Sequence, residues 1–178
     1  MPDNRESRHG LLMVNTGNGK GKTTAALGVM LRAWGRGWKV TMLQFIKTTT
    51  SNYGEHRAAQ KLGIEIVPLG DGFTWLSKDI EQDRAHAREA WDLAKEKMYS
   101  GEYDLVVLDE LTYPLIYDWL PLHEVLDALS KRPSWLHVIV TGRDAPPALM
   151  EAADMVTEMQ EVKHPFQKGI KAQPGIEF

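Results

Sequence analysis

The chain has no cysteine. That removes disulfides, thiolate metal ligands and thiol nucleophiles together, and it fits a reducing compartment, so a cytoplasmic protein is expected. Long apolar runs are missing too. Nothing approaches the roughly 18 consecutive apolar residues that span a bilayer, and the polar opening Met1–Gly10 lacks the apolar core of a signal peptide. No membrane partner is expected, and residues 1–10 read as a flexible N-terminus. An excess of positive charge is also absent. With 21 Lys and Arg against 24 Asp and Glu, the net charge of −3 provides none of the basic field that non-specific nucleic-acid binding needs, so no nucleic-acid partner is expected. There is no internal repeat or low-complexity stretch. What remains is a chain of 178 residues, 43% of them apolar, which suits a single domain over residues 1–178 with a sizeable core.

Short runs rich in branched residues alternate with longer helical patterns, the mark of βαβ units around a mainly parallel sheet. The fold class is therefore α/β, with about six strands flanked by helices. Strands are predicted at Leu11–Asn15, Lys39–Ile46, Ile64–Val67, Tyr103–Leu108, Leu136–Thr141 and Met155–Glu161. Helices are predicted at Thr23–Arg36, stopped by Gly35-Arg36-Gly37, at Asp79–Ser100, and from Pro121 to about Ser130. Lys47–Asn52 reads as an exposed loop.

Between the first strand and the first helix lies Thr16-Gly17-Asn18-Gly19-Lys20-Gly21-Lys22-Thr23-Thr24. Strand, glycine-rich loop and helix start together form a phosphate-binding loop. Its glycines let backbone N–H groups turn onto a polyphosphate, Lys22 adds a cation, and Thr23 offers a hydroxyl to Mg²⁺. A glycine-rich turn can also join strand to helix without a ligand, but Lys20 and Lys22 beside a positive helix end favour an anion there. The loop departs from the general G-x-x-x-x-G-K-[ST] pattern, because Thr16 occupies the first position and the glycine has moved to Gly17.

The strand Tyr103–Leu108 runs into Asp109 and Glu110. A carboxylate at the end of such a strand faces the ligand crevice and can hold Mg²⁺, although an Asp-Glu pair can also simply cap or turn the chain. Spacing does not say which of the two would bind metal. Gly70-Asp71-Gly72-Phe73-Thr74-Trp75 carries two large aromatics on a loop. On spacing alone a core plug is the plainer reading, with a wall for a flat ligand as the other. Arg143 follows a strand and reads as an exposed loop arginine, and His86, His123 and His137 show no metal-ligand spacing.

Taken together, the segments Thr16–Thr24, Gln44–Lys47, Gly72–Trp75, Val106–Tyr113, Thr141–Arg143, Val162–His164 and Gly169–Glu177 resemble the P-loop (CobA-type) cob(I)alamin adenosyltransferases over nearly the whole chain. The threonine version of the loop is typical of that family. The resemblance implies transfer of the 5′-deoxyadenosyl group of ATP to Co(I) of a corrinoid (cobalamin, cobinamide or cobyrinic acid diamide), with triphosphate released. Adenosylcobalamin biosynthesis or salvage is the implied setting. It implies Thr16–Thr24 as the nucleotide site, Lys22 on the leaving triphosphate, and Thr23 with Glu110 and neighbouring Asp109 on Mg²⁺. It also implies Phe73 and Trp75 against the lower corrin face, where they exclude an axial ligand and ease reduction of Co(II). A reduced flavoprotein as electron donor, a homodimer, and a tail (162–178) near the active site complete the implied picture. Two alternatives stand beside it: a P-loop ATPase or small-molecule kinase, and a non-enzymatic nucleotide switch.

Overall fold

The computed structural model describes residues 5–48, 53–70 and 80–177. Strands β1 (Leu12–Thr16), β2 (Val40–Gln44), β3 (Glu65–Pro68), β4 (Leu105–Asp109), β5 (His137–Thr141) and β6 (Met155–Glu158) form one sheet. Its order is β3-β2-β4-β5-β1-β6, and every pairing is parallel. The helices among the described residues are α1 (Lys22–Gly35), α2 (Gly54–Leu62), α3 (Ile80–Tyr99), α4 (Thr112–Ile116), α5 (Leu122–Ser130) and α6 (Pro147–Ala152).

Strand alternation divides the core into two layers. Leu12, Val14, Leu43, Val106, Leu108, Val138 and Val140 face one side, where they pack with Trp91, Ala94 and Met98 of α3, Val125 and Leu129 of α5, and Leu149 of α6. Met13, Met42, Leu105, Val107 and Ile139 face the other, against Ala26, Met30 and Ala33 of α1 and Ala59 of α2. The four inner strands therefore read as nearly unbroken apolar runs. The α/β class and the six-stranded sheet agree with the sequence pattern. Helices α2, α4 and α6 were not predicted. Helix α2 starts after Tyr53 with no side-chain cap, and α4 and α6 are single short turns containing proline, so none carries a strong start signal. The last strand ends at Glu158, short of the predicted Glu161, because Met159 turns its carbonyl to the Gly19 N–H at 2.6 Å.

Of residues 1–10, read as a flexible N-terminus, 1–4 lie outside the described residues and 5–10 are tied to the amino end of the sheet. Arg5 Nε and Arg8 Nη1 reach Asp104 Oδ1 at 2.8 and 2.9 Å, and the Lys39 N–H donates to Asp104 Oδ2 at 2.9 Å. Burial pushes the Asp104 carboxyl up, but the bonds from Arg5, Lys39 and Arg8 outweigh it and hold the group below its ordinary 3.8. A depressed carboxyl gives the folded state fewer bound protons than the unfolded chain. Its stabilisation is therefore complete above the unfolded value and fades as pH falls through the folded one. Asp104→Asn should cost about 2 kcal/mol at pH 7, the scale of charged hydrogen bonds, and that cost should shrink below about pH 4. Urea unfolding of both proteins from pH 7 to 3 measures it, and a cost independent of pH would contradict the assignment.

Candidate functional site

A parallel sheet puts the carboxyl ends of all its strands on one side, where ligands of open α/β sheets bind. Here the ends of β1, β2, β4 and β5 bring together the phosphate loop, Gln44, the Asp109–Glu110 pair and Thr141.

Thr16 is the last residue of β1; it pairs with Glu158, and its Oγ1 accepts the Ala145 N–H at 3.1 Å. It thus ties the segment after β5 to the loop strand, and the turn begins at Gly17, at φ 91°. A side chain on Gly17 or Gly19 would also strike the chain after β6, with Cβ positions 2.5 Å from Met159 O and 2.7 Å from Gln160 C. These two glycines therefore serve close backbone packing as well as any ligand. Asn15, inside β1, donates from Nδ2 to Lys22 O at 3.3 Å and secures the far side of the loop. Asn18, Lys20 and Thr24 are exposed, and Lys20 is ion-paired with Glu177 of the tail, which lies across the loop.

Lys22 is buried at 8% exposure and folds back into the loop, where Nζ donates to Gly17 O and Gly19 O, both at 2.8 Å. Burial lowers its ammonium below the usual lysine range, while the charge of Glu110 works against the shift. An ammonium carries three donors, so two bonds to the loop leave capacity for a phosphate oxygen.

Thr23, the second residue of α1, donates from Oγ1 to Asp109 Oδ1 at 2.8 Å. The same carboxylate accepts from Thr141 Oγ1 at 2.7 Å and, on Oδ2, from Gln44 Nε2 at 3.1 Å. Asp109 is fully buried and its oxygens are committed to these donors. Glu110 is different. It leaves the strand in a left-handed conformation, φ 62°, with its N–H on Thr141 Oγ1 at 3.0 Å. Its Oε2 is buried without a hydrogen-bond partner among the described residues. Burial, then the Asp109 charge, raise its carboxyl to about 7, against the pull of Lys22, Lys47 and Arg143.

That pattern fits a hard divalent cation. The same end of the sheet carries a buried Glu110 oxygen lacking a described partner and a Thr23 hydroxyl whose hydrogen is already given to Asp109, which leaves the hydroxyl lone pairs for a metal. No cluster of three or more His, Cys, Asp or Glu side chains suited to a metal ion occurs among the described residues. Mg²⁺ needs none, since it completes its shell with water and phosphate oxygens.

Gly142 shows why this corner needs a glycine. At φ 143° it lies against α4, and a Cβ there would sit 1.9 Å from Thr112 Oγ1. Arg143 beyond it is exposed. His137 serves the framework, accepting the Leu11 N–H on Nδ1 at 3.1 Å and stacking on Trp38. Phe73 and Trp75 lie outside the described residues. The sequence did not single out Asn15, Met159 or His56, which donates toward Gln44 at 2.5 Å, because each acts through tertiary contact.

Residues 8–178 match the family model described as ATP:corrinoid adenosyltransferase BtuR/CobO/CobP. The corrinoid adenosyltransferase of Escherichia coli (strain K12) is 47% identical over 173 residues, 97% of this chain and 88% of that one. Corrinoid adenosyltransferase CobA of Salmonella typhimurium is 44% identical over 97% of this chain and 88% of its own length. The corrinoid adenosyltransferase of Pseudomonas aeruginosa is 46% identical over 95% of this chain and 84% of its own. Among solved structures, the flagellar accessory protein FlaH of Methanocaldococcus jannaschii superposes with a TM-score of 0.53 at 14% identity, covering 85% of this chain and 71% of that one. That likeness shows the fold alone. The phosphate loop, the acidic strand end and the tail drawn across the loop are thus parts of one sequence pattern running from residue 8 to the C-terminus, and the chain belongs to the ATP:corrinoid adenosyltransferase family.

Proposed function

We propose that this chain transfers the 5′-deoxyadenosyl group of ATP to the cobalt of a reduced corrinoid and releases triphosphate. The observation that carries the reading is that the strand ends bring together buried Lys22, Thr23 and a Glu110 oxygen with no described partner, in a chain matching the family over residues 8–178. The Co(I) electron pair forms the Co–C5′ bond as the C5′–O bond breaks, and the departing pair stays on the triphosphate oxygen. No side-chain nucleophile is required. The protein must align the two reactants and stabilise charge growing on the leaving group.

Lys22 meets the growing charge with an ammonium already desolvated and held by Gly17 O and Gly19 O, so little reorganisation is needed. Thr23 and Glu110 would hold Mg²⁺, which supplies further neutralisation of the triphosphate; Asp109 orients Thr23. Phe73 and Trp75 are assigned to the lower corrin face on the strength of the resemblance. A reduced flavoprotein as electron donor and a homodimer, readable from its mass in solution, belong to the same reading.

An anaerobic assay with ATP, Mg²⁺ and corrinoid tests the proposal, run once from chemically reduced Co(I) and once from Co(II) with a reduced flavoprotein. A light-sensitive alkylcobalt product with stoichiometric triphosphate is expected, whereas ADP and phosphate would mark an ordinary NTPase. The double variant Phe73→Ala/Trp75→Ala should lose the Co(II)-started reaction far more than the Co(I)-started one. Equal losses would remove the corrin-facing role of the two aromatics.

A further inference from the structure

The polar chain at the acidic strand end does not stop at Asp109. Gln44 Nε2 donates to Asp109 Oδ2 at 3.1 Å, and Gln44 Oε1 lies 2.5 Å from His56 Nε2 on the first turn of α2. Gln44 is fully buried, while His56 is half-buried. The direction of every bond follows from one end. A carboxylate only accepts, so Gln44 turns its NH₂ toward Asp109 and its carbonyl toward His56, and His56 therefore donates from Nε2. On the other oxygen, Thr23 and Thr141 both give their hydrogens to Asp109. Thr141 is then left to accept the Glu110 N–H at 3.0 Å. Donation thus converges on Asp109, from His56 of α2 through Gln44 of β2, from Thr23 in the first turn of α1, and from the Glu110 backbone through Thr141 of β5.

We propose that His56 is a positioning residue for the Mg²⁺–triphosphate site: by donating to Gln44 it fixes the Asp109 carboxylate, and so the direction of the Thr23 lone pairs. This rests on the nucleotide reading of the site given above. The effect of His56 passes through two side chains, Gln44 and Asp109. Its ring is itself held in place, with Tyr53 edge-on at 5.5 Å and Lys47, paired with Glu55, over the Tyr53 ring at 4.7 Å. The relay gives α2 a physical link to the phosphate loop. Orienting partners of this kind matter because a metal donor that can rotate loses affinity even when its identity is unchanged.

Two substitutions separate the donor from the ring. His56→Phe keeps a ring for Tyr53 and removes the donor, and His56→Gln removes the ring while placing an amide N–H near the Nε2 position. Binding of a fluorescent ATP analogue to the full chain, without corrinoid, is measured with Mg²⁺ and with EDTA, and folding is checked by circular dichroism. His56→Phe should weaken the Mg²⁺-dependent binding by about 10-fold and leave the EDTA value within about 2-fold, whereas His56→Gln should stay close to wild type. The relay is overturned if His56→Phe binds the Mg²⁺–nucleotide as wild type does, if both conditions weaken equally, or if His56→Gln fails as badly as His56→Phe. A wild-type protein whose nucleotide binding ignores Mg²⁺ would instead overturn the underlying reading of the site, and the relay with it.

Discussion

Replacing Lys22 by methionine should lower kcat/KM for adenosylation by about 10²- to 10³-fold, the scale on which a single preorganised charge-stabilising donor acts. The methionine keeps an unbranched stem of similar volume, so a buried position at 8% exposure remains filled. What disappears is the ammonium, whose bonds to Gly17 O and Gly19 O point it into the loop. Because burial already lowers that ammonium below the usual lysine range, its removal also relieves a desolvation cost. Global stability should therefore change by no more than about 1 kcal/mol. Single-turnover rates from chemically reduced corrinoid, with thermal unfolding alongside, measure both quantities. A variant that retains rates within a few-fold of wild type would exclude Lys22 from the leaving-group site.

Asp109→Asn should be damaging in a different way, losing about 2 kcal/mol of stability and about 10²-fold in kcat/KM. The substitution is nearly isosteric, so the cost comes from polarity. Asp109 accepts from Thr23 and Thr141 on one oxygen and from Gln44 on the other. An asparagine presents an NH₂ to one of those sides, and a donor then faces a donor inside a fully buried pocket. With the NH₂ toward Gln44 the conflict is relieved by reversing Gln44, after which His56 Nε2 must accept and its proton must move to Nδ1; with the NH₂ toward Thr23 and Thr141, both hydroxyls must turn their hydrogens away. For a chain of this size the stability loss corresponds to a fall in melting temperature of about 4–8 °C. The rate should be measured well below that temperature, so that lost activity is not lost folded protein. Wild-type stability in Asp109→Asn would mean that Asp109 does not receive these hydrogen bonds.

Much of this molecule is legible along the chain. The inner strands are continuous apolar runs because a parallel sheet covered on both faces buries both sets of alternating residues, as Val106 and Leu108 on one side and Leu105 and Val107 on the other show. The loop Thr16–Thr24 is legible because its glycines, its lysine and its threonine are consecutive between one strand and one helix, a local pattern that needs no tertiary partner to be seen. The carboxylates Asp109 and Glu110 are legible as a pair at a strand end, but not as two different environments. Strand alternation predicts opposite directions for neighbours, and the left-handed backbone at Glu110 breaks that rule. One carboxylate becomes saturated and the other is left open, a division made by Thr23, Thr141 and Gln44 arriving from three other elements.

The amino-acid sequence by itself determined the α/β class and the strand–loop–helix position of Thr16–Thr24, and it carries the pattern that places the chain in its family. All of these rest on local periodicity or on residues adjacent in the chain. Tertiary structure alone decided that Gly17 and Gly19 must be small for Met159 and Gln160, that Asp104 anchors Arg5 and Arg8, and that His56 joins Gln44 at the acidic strand end. The strand order explains why. Placing β5 between β4 and β1 brings Thr141 to the Asp109 oxygen that Thr23 also reaches, and placing β2 beside β4 brings Gln44 to the same carboxylate. Hydrogen-bond partners so far apart in sequence leave no periodic trace, because each is selected by the geometry of the assembled sheet.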